Sequence, residues 1–69
     1  MREHKIVDEF IVNNKKIIVI DERRTAEEFG VTKMLIDGVE HSFALTHNDC
    51  WFVVDIAESL LGKTVEFVS

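Results

Sequence analysis

Two dipeptides punctuate the chain in a way that leaves few folds open to it. Asn13-Asn14 separates His4-Lys5-Ile6-Val7-Asp8-Glu9-Phe10-Ile11-Val12 from Lys15-Lys16-Ile17-Ile18-Val19-Ile20-Asp21, and Asp37-Gly38 separates residues 31–36 from residues 39–45. Asn, Asp and Gly accept positive φ at low cost, and a two-residue loop between β-branched runs needs positive φ to match the twist of the strands it joins. The sequence therefore predicts two β-hairpins. Nine Val, seven Ile and four Thr against four Leu and three Ala agree with this, because side chains branched at Cβ are stiff and suit a pleated surface better than a helix.

Ile17-Ile18-Val19-Ile20 lacks polar alternation, which predicts a strand covered on both faces, either central in a sheet or part of an oligomer interface. In residues 39–45, strict alternation puts Val39, His41, Phe43 and Leu45 on one face and Glu40, Ser42 and Ala44 on the other. Between the hairpins, residues 22–30 are polar, accommodate one helical turn and end on Gly30, which suits the left-handed position after a helix.

The last third of the chain supports two readings. As a strand, Cys50, Phe52, Val54 and Ile56 line one face, followed by a short helical turn at 57–61 and a final strand at 64–68. As a helix over residues 47–61, Thr46-His47-Asn48-Asp49 would be a capping box, Phe52, Val53, Ile56, Ala57, Leu60 and Leu61 the apolar stripe, and Gly62 the residue that ends it. The strand is preferred, since Trp51-Phe52-Val53-Val54 opens a helix poorly and a strand well. The expected fold is then mainly β, a six-stranded antiparallel meander curled into a small SH3-like barrel with one helical turn before the last strand. The alternative is α+β, a bent antiparallel sheet carrying the C-terminal helix.

Residues 1–69 have room for one domain, and a chain this short buries only about 60% of the surface it exposes when unfolded. Met1 gives the expectation of a complete short reading frame. A single Cys makes no internal disulfide, so a cytoplasmic location is expected, and there is neither a signal peptide nor an apolar run of membrane-spanning length. The formal charge of −5 repels a phosphate backbone at long range, which makes nucleic acid an unfavoured partner.

Cys50 lies near His47, Asp49 and Trp51, but a lone thiol without a nameable oxyanion donor or orienting partner packs more often than it reacts. His41, His47, Asp49 and Cys50 are all metal-ligating types, yet their spacing fits no paired-ligand motif, and no metal or other cofactor is expected. Leu61-Gly62-Lys63-Thr64 copies the end of a phosphate-binding loop; Ala57 stands where that loop needs its first Gly, and a strand pattern follows where it needs a helix. No catalytic residues are assigned.

What remains is recognition. In the strand reading Trp51 and Val53 face away from Phe52 and Val54, and with Ile18 and Ile20 they form the expected site of a non-enzymatic protein-interaction module, regulatory or structural, acting on an unidentified protein or as a homodimer. The alternative is a weak single-strand nucleic-acid binder that uses Lys15, Lys16 and Lys33 with aromatic platforms.

Overall fold

The computed structural model describes residues 3–24, 28, 30 and 33–68. Among the described residues seven strands form: β1 His4–Val12, β2 Lys15–Ile20, β3 Lys33–Ile36, β4 Val39–Ser42, β5 Ala44–Leu45, β6 Trp51–Val54 and β7 Thr64–Val68. They make one antiparallel sheet in the order β4-β3-β7-β1-β2-β6-β5. Both hairpin turns take the expected form, with φ of 51° at Asn13, 65° at Asn14, 50° at Asp37 and 83° at Gly38.

β1 belongs to both halves of this sheet. Its first residues pair with β7 (His4 with Val65, Lys5 with Thr64), and the rest pairs with β2 up to Val12 and Lys15. Between Ile6 and Asp8 the register with β2 slips, leaving Val7 as the extra residue of a bulge. A bulge bends its strand and changes which alternate residues face inward. Before it His4 and Ile6 point into the core; after it Glu9 takes the inner face, opposite Ile18 at the core's rim, and Phe10 points out.

The bend folds the two halves over a shared core of Ile6, Ile18, Ile20, Met34, Ile36, Phe52, Val54, Leu60, Val65 and Phe67. Phe43, between β4 and β5, packs against this core with its ring edge-on to Phe52 and Phe67, each 5.5 Å away between centroids. The guanidinium of Arg24 lies over the same two rings, 5.3 Å from Phe52 and 5.5 Å from Phe67. Beside them His4, 1% exposed, places its Nε2 3.0 Å from both carboxylate oxygens of Glu28. That contact ties the connection after β2 to the start of β1.

Several expectations are corrected here. The chain is mainly β, but the sheet is unclosed and not the expected SH3-like barrel. β4 and β5, its two edges, are successive pieces of one run with Phe43 between them, so they proceed in the same direction and do not pair; the corner is covalent. Nor is the order a meander, because β7 inserts between β1 and β3. The run expected as one strand over 39–45 breaks at Phe43, giving seven strands in place of six.

The alternative helix over 47–61 does not form. Its supposed capping box is a turn: the Thr46 hydroxyl accepts from the Asn48 N–H at 3.1 Å, and Asn48 Oδ1 accepts from the Cys50 N–H at 2.9 Å, delivering the chain into β6. The helical turn expected at 57–61 is also absent. Lys16 donates to the carbonyls of Ala57 (3.4 Å) and Glu58, and Glu9 accepts from the Ser59 hydroxyl and from the Leu60 N–H at 2.9 Å. Backbone groups that a helix would pair internally are taken by side chains of β1 and β2. The turn expected within residues 22–30 falls partly outside the described residues, which lack 25–27 and 29.

Candidate protein-interaction face

Strand register fixes which side chains share the outer surface. On the half made of β1, β2, β6 and β5, the outward residues fall in three rows across the strands: Asp8, Val19 and Trp51; then Phe10, Ile17, Val53 and Ala44; then Val12 and Lys15. Every one is apolar except Asp8 and Lys15. Phe10 and Trp51 meet edge-to-face with centroids 5.0 Å apart, a geometry that favours the ring edge of one against the π-face of the other. Trp51 remains 38% exposed, and Ile17, under this layer, 7%.

The outer surface of the other half differs in kind. β1's first residues, β7, β3 and β4 present Lys5, Thr64, Glu66, Lys33, Glu40 and Ser42 around Leu35 and Val68. Lys33 and Glu40 form an ion pair at 2.8 Å. That is the usual division of an antiparallel sheet with one wet face; the β1-β2-β6-β5 half departs from it.

Next to Val53 the surface opens into a cleft of about 490 Å³, lined by Ile11, Phe43, Ala44, Val53, Val54 and Ile56 with Lys15, Lys16, Ser42 and Asp55 among its polar groups. It lies where the sheet fails to close, between the Phe43 corner and the segment after β6. Leu45, on the edge strand β5, and Ile11 are both well exposed nearby.

Of the four residues expected to form an interaction site, two are on this face. Trp51 and Val53 point outward, whereas Ile18 and Ile20, 0% and 2% exposed, point into the core from the opposite side of β2. Phe10, Val12 and Ile17 complete the face and were not singled out from the sequence. The bulge at Val7 hid Phe10 and Val12, because simple alternation from the start of β1 assigns them to the core side, and Ile17 was hidden by the unbroken apolar run of β2, which marks neither face.

Compared with models of known protein families, with curated proteins and with solved structures, the chain matches none. Function has to be read from the surface itself.

The three lysines expected to bind a nucleic-acid strand are not brought together. Lys15 is exposed at the β1-β2 turn; Lys16 is buried with its ammonium 3.2 Å from Glu9; Lys33 sits on β3, with β7 and β1 between it and β2. The cysteine and histidines are equally dispersed. Cys50 packs against the core, His41 pairs across to Met34 in β3, His47 lies in the exposed turn before β6, and Asp49 pairs with Arg23 at 2.6 Å. Among the described residues no three His, Cys, Asp or Glu side chains converge as a metal-holding group, and no helix is long and apolar enough to cross a membrane.

Gly62 and Lys63, the phosphate-loop lookalike, form a turn. The Gly62 N–H donates to Ile6 O at 2.9 Å, the Lys63 N–H to Leu60 O at 3.0 Å, and the Lys63 ammonium lies 3.4 Å from Asp37.

Proposed function

We propose that this domain is a non-enzymatic protein-interaction module, regulatory or structural, whose docking surface is the outer face of β1, β2, β6 and β5 centred on Phe10, Trp51 and Val53. The observation that carries this reading is the contrast between the two halves of one sheet. One exposes ion pairs and hydroxyls; the other presents an apolar layer, half-buried at Phe10, Val19 and Val53 and exposed at Trp51 and Val12, anchored by an aromatic pair. Apolar side chains left against water cost solubility, and aromatic anchors of this kind carry most of the binding energy where protein surfaces meet. The lone, half-buried Cys50 fits a reducing compartment such as the cytoplasm.

The single-strand nucleic-acid reading draws little support, since its three lysines lie apart and one is committed to Glu9.

The test is capture by the tagged domain from a lysate of cells that express it, in parallel with Trp51→Asp. Amide spectra of the variant should match the parent away from position 51. The parent should retain a defined protein, a second copy included, that the variant loses; truncating an anchor of this kind costs about 2 kcal/mol, roughly thirtyfold in affinity. Equal retention by both proteins, or retention by neither, would sink the reading.

A further inference from the structure

Asp8 and Lys15 are the two charged members of the apolar outer face, and they stand at its opposite ends. Asp8 shares a row with Val19 and Trp51, Lys15 shares one with Val12, and the row of Phe10, Ile17 and Val53 lies between. Their rows are about 14 Å apart at the usual rise per residue of a strand. Neither forms an ion pair among the described residues. The three rows thus run from a carboxylate, across an apolar middle, to an ammonium, with the Asp55 carboxylate beside Lys15 in the adjoining cleft.

A surface of that form complements itself. A two-fold axis lying between two copies, perpendicular to their strands, turns one face over against the other. It sets the Asp8 end of each copy over the Lys15 end of its partner and the apolar middles together. Such an interface is isologous, meaning that whatever the first residue makes with the second is made again in reverse. We infer that the occupant of this face is a second copy of the same chain, packed face to face about such an axis, with Asp8 of each copy paired to Lys15 of the other. This rests on the outer face being a protein-docking surface and adds the identity and orientation of the partner.

Strands about 4.8 Å apart make the face roughly 19 by 17 Å, about 300 Å² on each copy, well below the roughly 800 Å² that each partner of a standard interface buries, so the dimer is weak and dependent on concentration. Each copy carries a net charge of −5, and salt near 0.1 M screens that repulsion beyond about 10 Å while leaving contact pairs in place.

Sedimentation of the full chain over a concentration series tests this with Asp8→Lys and Lys15→Asp. Each single variant puts like charges over each other twice and should weaken self-association about tenfold or more. Mixed in equal amounts the two variants should recover the parent's association, because both pairs in the mixed dimer are again of opposite sign, and the double variant should recover it alone. Recovery in the mixture requires both variants to be folded, so it separates lost complementarity from lost structure. A parent that stays monomeric at about 1 mM, single variants that associate like the parent, or a mixture that fails to recover would each overturn the inference. If the parent is monomeric while Trp51-dependent capture of another protein persists, the partner assignment fails and the docking surface stands. If self-association is indifferent to Trp51→Asp, it uses another surface, and this inference fails.

Discussion

The Glu9 carboxylate accepts hydrogen bonds from the Ser59 hydroxyl and the Leu60 N–H and faces the Lys16 ammonium at 3.2 Å. The Ser59 bond first, then the Leu60 bond, hold its pKa down at about 2, against an ordinary value of 4.5. A carboxyl whose folded pKa is depressed stabilises the folded state above its unfolded value and loses that contribution as pH falls through the folded one. Urea unfolding from pH 6 to pH 2 should therefore show stability falling between about 4.5 and about 2, and Glu9→Gln should flatten that part of the profile. A profile identical to the parent's would mean that the carboxylate does not fasten the 57–60 segment. None of this was visible in the sequence, where Glu9 and Lys16 read as polar members of two strands, because a bond spanning about 50 residues leaves no local pattern.

At the scale of elements, local chemistry decided much more. The Asn13-Asn14 and Asp37-Gly38 turns were legible because the backbone there needs positive φ, and few residues supply it. Gly38 has φ of 83° and open space where a Cβ would lie, so Gly38→Ala should cost about 1 kcal/mol from backbone strain alone. The urea midpoint should fall with the slope unchanged; an unaltered midpoint would show that the turn relaxes. The choice of strand over helix at 51–54 also followed from the residues, since Trp, Phe and two Val resist helix formation and the Thr46 and Asn48 side chains bond back to local backbone. Missed were the bulge at Val7 and the corner at Phe43. Each depends on which strand lies alongside, and a strand's own sequence does not state its neighbours.

For the molecule as a whole, one small core serves both halves of the sheet, and Phe52 lies at its centre, 1% exposed and against Phe43 and Phe67. Phe→Ala in such a core costs about 3–5 kcal/mol, comparable to the whole stability of a domain this small. Phe52→Ala should accordingly be largely unfolded by circular dichroism at 25 °C; a cooperative unfolding transition retained near the parent's temperature would show that the core is not shared in this way. The sequence by itself determined both hairpins and the final strand, favoured the β class over a C-terminal helix, and set Trp51 and Val53 on the side opposite Phe52 and Val54, since these follow from alternation, side-chain branching and turn chemistry over a few residues. Tertiary structure alone decided the insertion of β7 between β1 and β3, the open corner in place of a closed barrel, which side of β2 turns Ile18 and Ile20 to the core, the exposure of Trp51, and the joining of Phe10, Val12 and Ile17 to it in one face. Those features depend on pairings between segments far apart along the chain, where the competing arrangements differ in global packing and in the register set by one extra residue, Val7, and not in any local preference.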